Sequence, residues 1–202
     1  TGNVVAGTSL AVTGVTLTVT SGLVSVGSTM TLSTATLTVS SSVTVASDVS
    51  LTSSTVTCTA LASTSGDVSA DMSDVTTSSG DLDAGVGISI LGSSASTVSI
   101  AGAVTATAGS ITVASGSTLT AAGKIESGTA SSFSGTTTTS TGNVVAGTSL
   151  AVTGVTLTVV AGNVAVGTTV DVSAAGKVLA PAGSLTATSG YIALIGGSEI
   201  EV

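Results

Sequence analysis

The side chains on which most enzyme chemistry depends are scarce in this chain. Its 202 residues include no histidine, a single cysteine and only two basic residues, Lys124 and Lys177. Without histidine, a Ser or Cys nucleophile has no imidazole base, and a metal ion has no imidazole ligand. General acid–base chemistry needs paired carboxylates in a cleft, commonly backed by basic residues, and the two lysines stand alone. We therefore expect no enzymatic activity and no cofactor.

Carboxylates are the remaining groups that could hold a metal ion. Asp48 and Asp67 precede equivalent apolar residues one repeat apart, so their side chains should stack about 4.8 Å from each other. Carboxylates that close repel unless a cation or solvent separates them. Calcium accepts such oxygens, although the Gly-Asp nonapeptide signature of calcium-binding β-rolls is absent. Asp48 and Asp67 are thus the calcium candidates, and a solvated acidic patch is the alternative. The acids nearby in sequence are Asp67, Asp71, Asp74, Asp81 and Asp83.

Threonine offers a second kind of chemistry, because Thr-x-Thr pairs recur along the chain. The pairs that we place on the outward side of one repeated strand are Thr16 and Thr18, Thr36 and Thr38, Thr55 and Thr57, Thr118 and Thr120, and Thr156 and Thr158. Asp74 with Thr76 and Thr97 with Ser99 occupy the same place, and Lys177 and Leu179 end the array. In stacked strands these residues would form two columns on one face. Such an array resembles the ice-binding faces of antifreeze β-solenoids, in which spaced methyl and hydroxyl groups order water. The alternative is that Thr serves simply as an exposed β-former whose outward pairs stack favourably.

Internal repetition indicates which elements position these side chains. Residues 1–19 recur letter for letter at 141–159, seven periods of about twenty residues further along the chain. Between the copies, a degenerate unit of about twenty residues repeats. Each unit contains three apolar doublets with period two, the pattern of short strands that bury one face. The doublets of the first unit are Val4 and Ala6, Leu10 and Val12, and Leu17 and Val19.

Three short strands per unit predict an all-β fold, a three-sided right-handed parallel β-solenoid. It should contain about ten coils of roughly 20 residues and form a rod about 50 Å long. We assign residues 1–202 to a single domain and expect it to be a fragment of a longer repeat array. Glycines at the corners suit turns that require positive φ. A β-sandwich is the structural alternative, but its turn signals would be spaced at about 8–12 residues, which is wider than three strands in a unit of about twenty residues allow.

Two specific expectations follow from the repeat. The middle doublets should form one buried column that contains Leu10, Met30, Val49, Val68, Ile88 and Ile111. Cys58 occupies the slot of Val19 and Val39, which favours a buried small side chain over a functional thiol. The unit around 125–140 lacks clean doublets, so its register is the least defined.

The runs AGSITVASGSTLTAAGKIES and TGNVVAGTSLAVTGVTLTV resemble the β-helix repeats of filamentous-haemagglutinin-type secreted adhesins. The resemblance covers most of the chain except 125–140, and that family usually carries more Asn, Gln and charge. It implies a secreted module of a surface-anchored fibre and brings no catalytic residues. We accordingly predict the shaft of an extracellular or cell-surface fibre, filament or appendage. The alternatives are an ice-binding solenoid and an adhesin stalk whose contact surface lies elsewhere.

Composition limits the partners. The net charge of −8 lacks the clustered Lys and Arg that nucleic acid requires. Ser, Thr or Gly interrupts every apolar run, whereas a spanning helix needs about 20 apolar residues, so we expect no membrane insertion. Self-association or continuation into flanking repeats is expected, because open solenoid ends expose strand edges. The density of Ser and Thr also makes O-glycans an expectation.

Overall fold

The computed structural model describes residues 2–91, 95–134 and 138–202. Throughout these residues the regular elements are strands, which form three sheets of ten. The first sheet contains β1 (Val4–Ala6), β4 (Val24–Val26), β7 (Val43–Val45), β10 (Leu61–Ser63), β13 (Leu82–Ala84), β16 (Val104–Ala106), β19 (Ile125–Ser127), β22 (Val144–Ala146), β25 (Val164–Val166) and β28 (Leu185–Ala187).

The second sheet contains β2 (Leu10–Thr13), β5 (Met30–Ser33), β8 (Val49–Thr52), β11 (Val68–Asp71), β14 (Ile88–Leu91), β17 (Ile111–Val113), β20 (Ser131–Ser134), β23 (Ser149–Thr153), β26 (Thr169–Ser173) and β29 (Ile192–Leu194). The third contains β3 (Thr16–Val19), β6 (Thr36–Val39), β9 (Thr55–Cys58), β12 (Asp74–Thr77), β15 (Thr97–Ile100), β18 (Thr118–Ala121), β21 (Thr138–Ser140), β24 (Thr156–Val159), β27 (Lys177–Leu179) and β30 (Glu199–Glu201).

From β1 to β27, each strand pairs in parallel with the strand three elements further along the chain. Three successive strands therefore make one coil, numbered here from coil 1 (β1–β3) to coil 10 (β28–β30). The length of a coil varies: Val43 pairs with Leu61 across a short coil, whereas Ile88 pairs with Ile111 across a longer one. The predicted three-sided parallel β-solenoid of about ten coils is confirmed, and the sandwich is excluded; the right-handed winding stays a prediction.

The inward residues of the strands form a continuous apolar core along the axis. Strand alternation explains this core, because every second side chain in a strand points to the same face. The predicted middle column is confirmed, since its members are successive register partners. Its first member, Leu10 in coil 1, is half-buried, and each of the others is at most 2% exposed: Met30, Val49, Val68, Ile88 and Ile111.

Corner glycines serve two different purposes, only one of which the sequence predicts. Gly14 and Gly154, between the second and third strands of their coils, have φ of 67° and 70°. Gly27, between the first and second strands, does not need positive φ. A Cβ at that position would collide with the backbone carbonyl oxygen of Gly7 in the preceding coil. Close approach between coils is therefore the second reason for glycine.

Coil 7, the weak unit of the sequence, keeps the same fold with polar residues turned inward. Ser127 ends β19 and Ser131 begins β20, and both are buried. Their hydroxyl groups lie 2.9 Å apart and hydrogen-bond each other, which removes most of the cost of burying them. Phe133, fully buried, fills the remaining space beside them. Part of this unit, residues 135–137, lies outside the described residues.

Cys58 is buried at the end of β9, as its slot in the repeat predicts. Burial raises the pKa of its thiol to about 12, because the apolar surroundings disfavour the thiolate. In the described ranges, no helix has the length and apolar character needed to cross a membrane.

Candidate functional site

The third sheet brings the predicted threonines together in two columns. Thr16 is the register partner of Thr36, which pairs in turn with Thr55. Thr18, Thr38 and Thr57 follow the same order two residues along each strand. Further along the rod, the first column continues through Asp74, Thr97 and Thr118, and the second continues through Thr76, Ser99 and Thr120.

The threonines of coil 8 belong to the same columns. Thr120 pairs with Thr139 in coil 7, and Thr139 pairs with Thr158 in coil 8, so the second column is continuous in register across the weak unit. Thr156 precedes Thr158 by two residues in β24 and therefore lies in the first column. The predicted alignment of Thr118, Thr120, Thr156 and Thr158 is thus present in the structure, although the sequence left the register of the unit between these pairs poorly defined.

Strand alternation aims these hydroxyl groups outward. In β3 and β6 the intervening side chains, such as Leu17 and Val39, turn toward the core. Thr120 is exposed, whereas Thr158 is half-buried, and the other predicted threonines are likewise exposed or half-buried. Neighbours along a column are about 4.8 Å apart, and the two columns are about 6.6 Å apart. The result is a regular array of methyl and hydroxyl groups on one side of the rod.

Charged side chains interrupt and end this array. Asp74 replaces threonine in coil 4, and its Oδ1 accepts the backbone N–H of Thr97 at 3.1 Å. In coil 9 the column position of Thr156 passes to Lys177, whose Nζ lies 2.9 Å from a carboxylate oxygen of Glu199. Hydrogen bonding to Glu199 raises the pKa of Lys177. The array therefore presents hydroxyl and methyl groups, with a carboxylate within it at Asp74 and an ammonium group at its end at Lys177.

The two calcium candidates, Asp48 and Asp67, use their carboxylates to hold the backbone of the next coil. Asp48 Oδ1 accepts the N–H of Asp67 at 3.0 Å, and Asp67 Oδ1 accepts the N–H of Gly87 at 2.7 Å. Asp48 and Asp67 precede register partners of successive coils, Val49 and Val68, and the Asp48 carboxylate is bonded to the backbone amide of Asp67. Within the described part of the chain, no group of three or more acidic or Cys side chains is placed to hold a metal ion. We make no metal proposal for this pair.

A general rule emerges from these contacts. The side-chain oxygen of an Asn or Asp immediately before a strand accepts a hydrogen bond from a backbone N–H one coil further on. The donor is the residue at the equivalent corner position, where the strands provide no carbonyl acceptor. Asn143 does this for the N–H of Asn163 at 2.8 Å, and Asn163 does it for Ser184 at 3.0 Å. Asp81 accepts from Ala103 at 2.7 Å. These side chains are therefore corner caps, a role that the sequence pattern did not predict.

The acids that follow one another in sequence do not form one patch. They are distributed over the three sides of coils 4 and 5. Asp83 is the one whose pKa is raised, by partial burial and by the charge of Asp81. Their positions are the corner before β11 (Asp67), the end of β11 (Asp71), the start of β12 (Asp74), the corner before β13 (Asp81) and the middle of β13 (Asp83).

A second column of polar contacts, also missed from the sequence, lies inside the corner between the second and third strands. Ser54, Ser73 and Ser96 are buried there in successive coils. Each hydroxyl accepts an amide of the preceding coil: Ser73 Oγ accepts the N–H of Ser54, and Ser96 Oγ accepts that of Ser73, both at 3.1 Å. Each also donates to a carbonyl of its own coil, such as Asp71 O at 2.7 Å from Ser73. The recurrence of serine directly before the third strand of each of these coils was the available signal.

Comparison with known proteins gives no further assignment: no protein-family model, no curated protein and no solved structure matches the chain. In the described residues no pocket opens on the surface. The pair of threonine columns is a surface feature with regular spacing.

Proposed function

We propose that this chain is a structural repeat module that forms the shaft of an extracellular fibre, filament or surface appendage. The observation that carries the proposal is the continuity of the three parallel sheets, each of which keeps the same strand order through all ten coils. Each sheet is a hydrogen-bonded ladder that follows the axis of the rod. With Cys58 as its one cysteine, the chain contains no intrachain disulfide, so cohesion depends on these ladders and on the core.

The packing supports a stiff element. Each coil needs the coils on either side to bury its inward residues, so stability is a property of the stack. The corners add hydrogen bonds between neighbouring coils: the N–H of Gly87 donates to Asp67 Oδ1 on one edge, and the N–H of Ala35 donates to Ser54 Oγ on another. Adjacent coils are therefore fixed at the sheets and at the corners, which opposes bending at any single coil.

An extracellular location and a filamentous-haemagglutinin type are parts of this proposal. Three strands per coil and a period near twenty residues support the type, and the scarcity of Lys and Arg sets the chain apart from nucleic-acid binders. An adhesin stalk is a version of the same function, in which the contact surface lies outside residues 1–202. Continuation into flanking repeats, self-association and O-glycans remain proposals about partners.

The test combines location with shape. Antibodies against the purified chain should label thin surface filaments on intact producing cells by immunogold electron microscopy. Small-angle X-ray scattering of the purified chain should give a rod about 50 Å long. Label confined to the cell interior would overturn the shaft proposal even if the scattering confirmed the rod.

Ice binding is the second candidate, favoured by the register of the threonine columns. Over coils 1 to 3 both columns consist of threonine alone, which gives water a repeating set of hydroxyl and methyl sites. If this face binds ice, the purified chain should show thermal hysteresis, and Thr36→Tyr should abolish it. Thr31→Tyr, on the outward side of the second sheet, is the matched control and should retain it. Absence of both hysteresis and inhibition of ice recrystallisation at micromolar protein would discard this candidate.

A further inference from the structure

The exact repeat of residues 1–19 at 141–159 falls on equivalent places in the coil. Coil 1 and coil 8 contain the two copies, and β1, β2 and β3 occupy the same sheets as β22, β23 and β24. Seven coils therefore separate two identical stretches of sequence in identical positions. Any difference between the two copies must come from their neighbours.

The local structure of the two copies is the same. Gly14 and Gly154 have φ of 67° and 70°, and their N–H groups donate to Ser33 O and Ser173 O at 3.0 and 3.1 Å. The corner cap is also repeated: Asn3 Oδ1 accepts the N–H of Leu23 at 3.1 Å, as Asn143 Oδ1 accepts that of Asn163 at 2.8 Å. Both copies hold the coil that follows them in the same way.

The two copies differ on the side that faces the preceding coil. Leu150 is fully buried in coil 8, whereas its equivalent Leu10 is half-buried in coil 1. Val155 is 6% exposed, and its equivalent Val15 is 57% exposed. Coil 8 has coil 7 on this side, and coil 1 has no strand there in the structure. Coil 7 covers Leu150, whose register partner there is Ser131, and no strand covers Leu10 on this side.

On the coil 8 side, the three strands of the interface with coil 7 belong to the repeated stretch, and Val160, just beyond that stretch, donates its N–H to Ser140 O at 2.8 Å. Within the repeated stretch, the N–H of Gly147 donates to Ser127 O at 2.9 Å and the N–H of Thr148 donates to Thr129 O at 2.7 Å. Their equivalents in coil 1, Gly7 and Thr8, face the open side. The register partners include Ile125 with Val144, Phe133 with Val152 and Ser140 with Val159.

We infer that the open side of coil 1 is an acceptor surface for coil 7 of another copy of the seven-coil unit 1–140, and that such units stack head to tail. The expected register places Ile125 of one unit on Val4 of the next, Phe133 on Val12, and Ser140 on Val19. The two contacting surfaces belong to opposite sides of the unit, so the contact is heterologous and does not close. It propagates into a filament of uniform coil spacing. This inference rests on the duplication and its register and does not depend on an extracellular location.

The contact is selective because coil 7 is unlike its neighbours. Phe133, the single phenylalanine of the chain, meets Val113 on one side and Val152 on the other. The small inward Ser131 pairs with Leu150. Large and small inward side chains thus alternate along the axis, which is the arrangement that fills a core without voids. Val12 in coil 1 is equivalent to Val152, so it can pack against the Phe133 of a preceding unit in the same way.

The test extends the full 202-residue chain at its N-terminus by a copy of residues 121–140, so that the copy joins Thr1 as Ser140 joins Thr141. Amide hydrogen exchange at Gly7 and Thr8 should slow by about tenfold or more on extension. The urea midpoint of the chain should rise. In the control extension, the copies of Ile125 and Phe133 are replaced by Asp, and exchange at Gly7 and Thr8 should match that of the unextended chain.

A second measurement tests the whole unit. A chain in which residues 1–140 precede residues 1–202 should scatter as a single straight rod about 34 Å longer than the original, since it adds seven coils. Two bodies joined by a bend would overturn the inference. Unchanged exchange at Gly7 and Thr8 in the wild-type extension, or equal protection from the Asp-substituted control, would overturn it as well.

Discussion

Removal of the Asp67 carboxylate should destabilise the rod through a single corner amide. Asp67 Oδ1 accepts the N–H of Gly87, one coil further on, at 2.7 Å. Gly87 is buried, so water does not readily replace this acceptor. In Asp67→Ala the amide stays buried without a partner, and such an orphaned group costs about 1–3 kcal/mol. We expect the free energy of unfolding to decrease by that amount.

Two variants separate the hydrogen bond from the charge. Asp67→Asn keeps an oxygen acceptor at the same position and should lose less than about 1 kcal/mol, the difference between a charged and a neutral acceptor. Asp71→Ala removes the same charge from the same coil. Asp71 takes part through its backbone carbonyl, which accepts the Ser73 hydroxyl at 2.7 Å. This control should change the free energy of unfolding by no more than about 0.5 kcal/mol.

The assay is equilibrium urea unfolding followed by far-UV circular dichroism, because the chain contains no tryptophan. Native-state hydrogen exchange at Gly87 should locate the effect, since coils unfold locally as well as globally. Equal losses from Asp67→Ala and Asp71→Ala would show that charge, and not the corner cap, governs the stability of this edge. An unchanged exchange rate at Gly87 in Asp67→Ala would refute the capping argument directly.

Three further predictions concern backbone strain, the core and the buried thiol. Met72 has φ of 48°, a conformation that costs an L-residue about 1–2 kcal/mol, so Met72→Gly should stabilise the chain by about 0.5–1 kcal/mol after the entropy cost of glycine. Ile111→Ala should cost about 2–5 kcal/mol because Ile111 is fully buried, whereas Thr112→Ala, on the outward side of the same strand, should cost less than about 1 kcal/mol. The pKa of Cys58, about 12 in the fold, lies above the unfolded value near 9, so its contribution to stability is complete below about pH 9 and decreases by about 1.4 kcal/mol per unit above it.

Each of these has its own control. Urea midpoints measure the first two, and a Met72→Gly chain no more stable than the parent would remove the strain argument. Equal costs for Ile111→Ala and Thr112→Ala would contradict the inward orientation of Ile111. For the thiol, the difference between urea midpoints at pH 8 and pH 10.5 should shrink in Cys58→Val, which lacks the titrating group. An identical difference in both chains would reject burial of Cys58 as its cause.

The sequence predicted the sheets well because a solenoid obeys simple short-range rules. Every inward residue meets residues of the coils directly before and after it, so a doublet with period two is repeated at each turn. Met30 and Val49, one coil apart, illustrate the point: each is apolar, each begins a strand, and they are register partners. Variation in coil length did not hide the period, since Ile88 and Ile111 keep the same slot although a longer coil separates them.

Coil 7 resisted prediction because its inward positions are partly polar. Ser127 and Ser131 would be placed outward by an apolar–polar pattern, yet both are buried. Their hydroxyl groups satisfy each other at 2.9 Å, and this contact depends on the corner that joins β19 to β20. A pattern of single residues carries no information about such a pair. The weak signal in the sequence therefore marks a change in core chemistry and not an interruption of the fold.

The corners were the hardest part to predict because their hydrogen bonds join residues a whole coil apart. Asp67 and Gly87 lie in successive coils, and no local motif relates them. These contacts explain acidic residues at the corners of a chain with few charged side chains, because the carboxylate accepts a hydrogen bond from a turn amide that has no other acceptor. Asn3, Asn143 and Asn163, which are all the asparagines of the chain, serve as neutral versions of this cap. The few Asn and Asp residues at these corners thus supply acceptors for backbone amides that lack a partner in the strands.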